Sequence, residues 1–214
     1  AKNINLYGYG ILLEFKSYTK KAINMSGCEK IAVKGITMDH QQVSNAQGTV
    51  LSVNGKTVVW MPDEGYNFDL NDPDMFHANA AATAFRKGSD LPYADVSFTT
   101  DRIKDEKGAY TLTGANTLQV GDRIMFRGVF CDVNYLYQCS HITYEDVTVW
   151  DGSGFAIREL EGEGYTTLNR FAVTPGRTPA GATEKRLIST CDATHSTNIR
   201  HGITVANSLL EHMN

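Results

Sequence analysis

The sequence has no long run of apolar residues and no excess of basic charge. None of its apolar stretches approaches the about 18 residues that a membrane-spanning helix needs. Its 20 Lys and Arg residues are outnumbered by 24 Asp and Glu residues, which gives a net charge of -4. Binding to DNA, RNA or an anionic membrane relies on a basic face. We therefore expect no nucleic-acid partner and no membrane span.

Cysteine is scarce, with four residues in a chain of 214. Cys28, Cys131, Cys139 and Cys191 form no C-x-x-C pair, which argues against a zinc ribbon or a thioredoxin-type motif. Their density is far below that of a disulfide scaffold. We expect Cys28, Cys139 and Cys191 to be small buried apolar residues at strand edges.

Helix signals are nearly absent, and the stretch from Ala78 to Phe85 is the only one that resembles a short helix. Elsewhere, β-branched and aromatic residues alternate with polar ones and are interrupted by Gly, Asn and Asp, as in the segment from Thr49 to Val53. This pattern is typical of short strands separated by turns. The sequence therefore predicts an all-β protein.

An internal repeat is the most informative feature of the chain. Residues 28–38 and 139–149 both follow the pattern C-x-x-I-x-[VY]-x-x-[IV]-T-[MV]. Apolar residues alternate on either side of a polar break, which predicts two short strands with a bend between them. Weaker echoes follow at Leu168–Val173 and Gly202–Leu210, and Val173 lies 24 residues after Val149.

Repeats of this length predict a solenoid, namely a right-handed parallel β-helix of the pectin-lyase-like type. One coil has too little apolar surface to fold alone, and stacking coils at a strand spacing of roughly 4.8 Å buries a continuous core. Gly, Asn and Asp are expected at the corners, where positive φ angles are often required.

The two matching coils are separated by 111 residues, so a module must lie between them. Hairpin signals in this stretch include an Asn-Gly turn in Val53–Lys56 and a turn before Arg123. We predict first β-helix coils in residues 1–40, an inserted antiparallel barrel-like or sandwich-like β module in 41–137, and a continuation of the β-helix in 138–214. A corner loop is the natural place for such an insertion, because it can lengthen without breaking the ladders.

The last fifty residues contain the best candidates for chemistry. Asp192, His195 and Arg200 form a polar cluster between two apolar strands, and such a cluster can line a groove. Glu159, in an acidic stretch, is a further candidate for substrate contact. Trp150 is a candidate for stacking on a sugar ring, as is Tyr165. Neither Asp192-x-x-His195 nor Asp39-His40 has a third ligand at a convincing spacing, so no metal or cofactor is expected.

The segment from Ser189 to Asn214 resembles the β-helix of glycoside hydrolase family 110, the α-1,3-galactosidases. That family shows an Asp-Gly-x-His corner, an Arg-x-Gly-Pro strand and a later Met-x-Asp-Asp. The counterparts here are Asp192-Ala193-Thr194-His195, Arg200-His201-Gly202-Ile203, Asn207-Ser208 and Met213-Asn214. Upstream segments match in the same order, at Gly35–Asp39, Gln47–Val50, Val120–Arg123 and the coil beginning at Cys139.

The resemblance implies an inverting exo-α-galactosidase that removes terminal α-galactose from glycans. Asp192 would act on the general-base side, and His195 and Arg200 would hold sugar hydroxyls. It also implies a secreted, periplasmic or cell-surface protein of a bacterium. Ala193 replaces the family's Gly and Ile203 its Pro, and the family's acidic pair would follow Asn214. We therefore expect the chain as given to be inactive or severely impaired. Its N-terminus has no initiator Met and no signal-peptide apolar segment, so we also expect a mature form or a fragment.

Two alternatives remain open. A polysaccharide lyase would call for a cluster of acids that binds Ca²⁺ or a basic residue that abstracts a proton, and neither is clear in the sequence. A non-catalytic carbohydrate-binding or adhesive β-helix would need no acid pair. The linkage, the acceptor sugar and the oligomeric state have no signal in the sequence.

Overall fold

A computed structural model describes residues 1–17, 20–41, 45–66, 69–73, 76, 82–99, 102–114, 117–128, 130–150, 152, 154–187 and 192–211. Every regular element in these ranges is a strand, which confirms the all-β prediction for the described chain. Within the same ranges no helix has the length and apolar character needed to cross a membrane.

The strands are numbered in chain order: β1 (Lys2–Phe15), β2 (Ile23–Ser26), β3 (Glu29–His40), β4 (Asn45–Asn54), β5 (Thr57–Pro62), β6 (Ala82–Phe85), β7 (Pro92–Val96), β8 (Arg102–Lys104), β9 (Tyr110–Thr113), β10 (Arg123–Arg127), β11 (Asn134–Tyr137), β12 (Ser140–Glu145), β13 (Thr148–Trp150), β14 (Ile157–Leu160), β15 (Thr166–Asn169), β16 (Ala172–Thr174), β17 (Thr194–Thr197), β18 (Ile203–Ala206) and β19 (Leu209–Leu210).

The chain forms two compact units. The parallel unit consists of Ala1–Gln42, Cys131–Gly176 and Thr190–Asn214, and the antiparallel unit consists of Val43–Phe130 and Arg177–Ser189. The strand pairs of the first unit all run parallel, and those of the second all run antiparallel.

The parallel unit contains two sheets. The large parallel sheet has the order β18-β15-β12-β3-β13-β16-β19, with β1 also paired to β3, and it curls into a half-barrel. The small parallel sheet has the order β17-β14-β11-β2. Successive passes of the chain (β2–β3, β11–β13, β14–β16 and β17–β19) add one strand to the small sheet and then continue into the large sheet.

The internal repeat corresponds to strands that lie side by side. Ile31 pairs with Ile142 and Met38 pairs with Val149, as the alignment of the two repeats predicts. Val149 in turn pairs with Val173, so the 24-residue spacing is one pass of the chain. Apolar residues at alternate positions of these strands face one shared core and are buried.

Bends between the strands use left-handed backbone at stacked positions. Gly27, Gln138, Glu161 and Asn198 each follow a strand of the small sheet and have φ between 52° and 58°. We expected Gly, Asn or Asp at such corners, but two of these four residues are neither. The reason is visible in the hydrogen bonds: the Gln138 N–H donates to the next pass, and so does that of Glu161. These bonds offset the about 1–2 kcal/mol that a left-handed non-glycine residue costs.

The antiparallel unit is a seven-stranded sheet with the order β7-β6-β10-β4-β5-β9-β8. The predicted Asn-Gly hairpin is confirmed, because β4 pairs with β5 around Gly55, whose φ is 59°. Aromatic rings fill its core, where Trp60 contacts Tyr110 and Phe126 at centroid distances of 5.8 and 5.2 Å.

The helix-like stretch from Ala78 to Phe85 is a strand where the structure describes it. Residues 82–85 form β6, which pairs with β10 on one side and β7 on the other, and all four side chains are buried. Pairing on both edges outweighs the helix preference of alanine. Residues 78–81 lie outside the described ranges.

Gly164 lies at a point where two successive passes of the chain are closely stacked. Its φ is +79°, and a Cβ added there would collide with the carbonyl oxygen of His201 in the next pass. We expect Gly164→Ala to lower the free energy of unfolding by about 2–4 kcal/mol, from backbone strain and displacement of that carbonyl. Urea unfolding followed by circular dichroism measures the change.

Gly202→Ala is the matched control, because a Cβ at Gly202 meets no atom within 4 Å. Its effect should stay within about 0.5 kcal/mol, as for ordinary surface changes. Equal effects of the two substitutions would contradict the close stacking at Gly164.

Candidate functional site

Two carboxylates occupy the same register position in the small parallel sheet. Asn134 pairs with Ile157, which pairs with Thr194, so the residues two positions earlier also align. These residues are Asp132, Phe155 and Asp192, and backbone hydrogen bonds continue the register beside them. We call them the Asp132–Asp192 row. The fold thus brings together two acids that are 60 residues apart in the chain.

Asp132 lies in a largely dry environment. Its side chain is buried, and its Oδ1 accepts a hydrogen bond of 3.3 Å from the backbone N–H of Phe155. The Arg158 guanidinium lies 3.7 Å from its Oδ2. Burial raises the pKa of Asp132 above its ordinary value, against the opposing effects of the Phe155 N–H and of the charges on Arg158 and Lys21. A carboxyl group in this state keeps its proton to higher pH than a free aspartate, as a proton donor needs.

Asp192 and His195 form a pair at the other end of the row. Their Oδ2 and Nδ1 atoms are 3.3 Å apart, and both side chains are more than a third exposed. The His195 ring stacks on Phe155, with centroids 4.2 Å apart and an interplanar angle of 7°. The stack and the carboxylate together fix the orientation of the imidazole. A solvated carboxylate in this position can accept a proton from water.

A second row of polar and aromatic side chains lies beside the first. Tyr135, Arg158 and His195 share one register position across three strands. The ammonium group of Lys21 lies 4.4 Å from the centre of the Tyr135 ring. Cationic and aromatic groups therefore flank both carboxylates.

Arg200 lies away from this cluster. It follows β17, whereas Asp192 precedes that strand, so the strand length alone separates them by roughly 13 Å. Its guanidinium pairs with the Glu163 carboxylate at 3.2 Å, and both side chains are more than half exposed. An exposed pair of this kind contributes at most about 1 kcal/mol to stability.

Glu159 points into the core of the parallel unit. Its side chain is fully buried, and its Oε1 accepts a hydrogen bond of 2.9 Å from the Thr166 hydroxyl. Among the residues that the structure describes, its Oε2 has no hydrogen-bond partner. Burial raises the pKa of Glu159, and the Thr166 hydrogen bond acts in the opposite direction. A side chain enclosed in this way presents no surface to a glycan.

The two aromatic candidates lie elsewhere in the parallel unit. Trp150 is half-buried in β13, which belongs to the large sheet. Tyr165 lies between His141 and His201, with ring centroids at 4.8 and 4.0 Å and interplanar angles of 22°. Both faces of the Tyr165 ring are therefore covered by imidazoles, which leaves only its edge for contact with other molecules.

In the part of the chain that the structure describes, no group of three or more His, Cys, Asp and Glu side chains could hold a metal ion.

Sequence reasoning missed Asp132, Phe155, Arg158 and Tyr135. These residues are related only by strand register. They lie at equivalent positions of neighbouring passes, and the strands there are too short and too polar to be aligned with each other from the sequence.

No family model matches the chain, and a search of curated proteins gives no match.

The buried carboxyl group of Glu159 predicts how the stability of the protein changes with pH. Because burial raises its folded-state pKa above the ordinary 4.5, the stability it contributes is fully present below about pH 4.5 and is lost as pH rises through the folded pKa. Glu159→Gln cannot ionise, so we expect its melting temperature to exceed that of wild type by a margin that grows as pH rises above about 4.5. Each kcal/mol corresponds to about 2–4 °C in a chain of this size. Differential scanning calorimetry at several pH values measures the margin.

Glu163→Gln is the control, because Glu163 is an exposed partner of Arg200. Its melting temperature should follow that of wild type across the same range. Parallel curves for wild type and Glu159→Gln would show that the buried carboxyl does not affect the pH dependence.

Proposed function

We propose that the parallel unit is a segment of a right-handed parallel β-helix. Three observations support this: equivalent residues of successive passes pair in register, the two sheets share one core, and left-handed bends recur at stacked positions. Parallel crossover connections are right-handed in nearly all proteins, which supports the handedness.

We further propose that the parallel unit belongs to a glycoside hydrolase that cleaves terminal α-linked galactose. One observation carries the reaction class: Asp132 and Asp192 share a register position and lie in opposite environments. The Asp132 carboxyl is buried, which raises its pKa, while the Asp192 side chain is more than a third exposed beside a histidine. Two carboxyl groups whose environments differ in this way can divide the acid and base roles of glycoside hydrolysis. The sugar is proposed from the resemblance at Asp192–His195.

The separation of the two acids favours inversion of the anomeric centre. They lie two strands apart, which corresponds to roughly 9.6 Å along the stack. Inverting enzymes place their carboxyl groups roughly 6.5–9.5 Å apart to admit a water molecule, whereas retaining enzymes place them about 5 Å apart. Inversion then requires the two carboxyl groups to lean toward each other past Phe155, which holds the register position between them.

In this proposal Asp132 takes the acid role that the resemblance gave to residues after Asn214, so the chain as given should turn over substrate. Each residue then has one role. Asp192 removes a proton from a water molecule, with its carboxylate oriented by His195, and the water oxygen attacks the anomeric carbon. Asp132 donates its proton to the departing glycosidic oxygen. The Arg158 side chain, a third exposed, borders Asp132 and must move aside on its flexible stem to admit the leaving group. Its guanidinium and the Lys21 ammonium are the donors for sugar hydroxyls.

The roles of Asp132 and Asp192 can be distinguished with substrates whose leaving groups differ in their need for a proton. Nitrophenolate leaves without protonation, so Asp132→Asn should retain most activity on nitrophenyl α-galactoside and lose about 10²–10⁴-fold on an α-1,3-linked galactose disaccharide. Asp192→Asn should lose about 10²–10⁴-fold on both substrates. Added azide should restore turnover of Asp192→Asn on the nitrophenyl substrate and yield the β-galactosyl azide. Kinetics and proton NMR of the first-formed anomer measure these outcomes.

Asp146→Asn is the matched control, because Asp146 is a surface aspartate with left-handed backbone that asparagine also adopts. It should match wild type on both substrates. Galactose binding without turnover by the wild-type chain would instead favour a carbohydrate-binding module. An unsaturated uronate product would favour a polysaccharide lyase. Equal losses by Asp132→Asn on both substrates would remove Asp132 from the acid role.

A further inference from the structure

Cys28 and Cys139 occupy the same register position in adjacent passes. Glu29 pairs with Ser140, so the cysteines just before them are neighbours across the strands. The backbone N–H of Ser140 donates to the Cys28 carbonyl oxygen at 3.0 Å, which extends the register to the cysteines. Strands paired in this way place the two Cα atoms roughly 4.8 Å apart.

The two thiols also point in the same direction. The Sγ of Cys28 donates to the Ser26 carbonyl at 3.5 Å, and the Sγ of Cys139 donates to the Tyr137 carbonyl at 3.4 Å. Ser26 and Tyr137 are themselves paired, so each sulfur has the same orientation relative to its own strand. Cys139 is buried in the core, and Cys28 is half-buried against it.

The environment of Cys139 includes Cys28. Burial is the main cause of a raised pKa at Cys139; a backbone hydrogen bond involving Cys28 lowers that pKa, and the side chain of Cys28 raises it. Cys131, the other described cysteine, differs: its Sγ donates to the Asp132 carbonyl oxygen at 3.7 Å.

We propose that Cys28 and Cys139 form a redox-sensitive pair that closes to a disulfide between adjacent passes under oxidising conditions. Their Cα separation lies within the about 4.4–6.8 Å that disulfides span, and a rotation of each χ1 turns the sulfurs toward each other. The bond would join residues 111 positions apart and thereby close a loop that contains residues 43–130 of the antiparallel unit. This inference is independent of the proposed hydrolase function.

The exchange has a definite order with a low-molecular-weight disulfide such as oxidised glutathione. The more exposed Cys28, as thiolate, attacks one glutathione sulfur and releases the other as a thiol. The Cys139 thiolate then attacks the Cys28 sulfur of the mixed disulfide and releases the second glutathione thiol. The two protein thiols lose two protons and two electrons, and oxidised glutathione is reduced to two thiols.

The test incubates the whole chain in glutathione buffers of graded potential, blocks free thiols by alkylation, and maps peptides by mass spectrometry without reduction. We expect a linked peptide containing Cys28 and Cys139, with a mass loss of two hydrogens. The oxidised protein should melt about 5–10 °C higher than the reduced protein, because the bond restricts the unfolded chain.

Three variants complete the design. Cys139→Ser should accumulate a mixed disulfide with glutathione at Cys28, because no thiol resolves it. Cys131→Ser and Cys191→Ser should behave as wild type in both the peptide map and the melting shift. Peptide mapping of the wild-type chain decides the proposal even if a variant fails to fold. Glutathione retained on Cys28 with Cys139 still alkylatable, or a linked peptide containing another cysteine, would overturn it.

Discussion

Parallel, in-register pairing between successive passes of the chain is the constraint on which the parallel unit depends. Each pass donates backbone hydrogen bonds to the next, so a residue's position within its pass decides which side chains it contacts. Inward positions form one shared apolar core, and outward positions form rows. Neighbouring side chains in a row can also carry opposite charges. Glu145 lies between Lys34 and Arg170, at 2.6 and 2.9 Å, across three passes.

Stacking also tolerates residues that would be unfavourable alone. Glu161 adopts a left-handed backbone because its N–H is paired with the Thr197 carbonyl of the following pass. Glu159 occupies an inward position that the pattern reserves for apolar residues, with one hydrogen bond from Thr166. Neighbouring core groups are also polar, since the Tyr144 hydroxyl donates to Asn134 at 3.5 Å. The core is therefore a mixed one, held in place by backbone pairing on both sides.

The sequence predicted the large sheet well because its strands alternate clearly. The repeat places Ile31 beside Ile142 without knowledge of the structure, since both positions require an apolar side chain. The small sheet could not be predicted in this way, because its strands have four residues each and Glu159 interrupts the apolar pattern. Nor did any motif show that the segment near Leu187 belongs to the antiparallel unit. That segment is held by Gln47, whose side chain accepts from the Leu187 N–H and donates to the Lys185 carbonyl.

Only part of the candidate site could be predicted from the sequence, again because register in the small sheet has no sequence signal. Asp192 and His195 are three residues apart, so local spacing alone suggested their contact, whereas Asp132 lies 60 residues upstream and reaches the site only through register.

Register also explains how one repeating backbone produces different chemistry at different distances. Side chains one strand spacing apart, such as Cys28 and Cys139, are close enough to share a covalent bond. In the proposed hydrolase, side chains two spacings apart, such as Asp132 and Asp192, would act on a bound water molecule and sugar rather than on each other. Identical residues in one row still differ in environment, because Asp132 is buried beside the Phe155 N–H and Arg158, while the Asp192 side chain is more than a third exposed. The stacked strands set the distance between the two acids, and the side chains beside each acid make the two environments different.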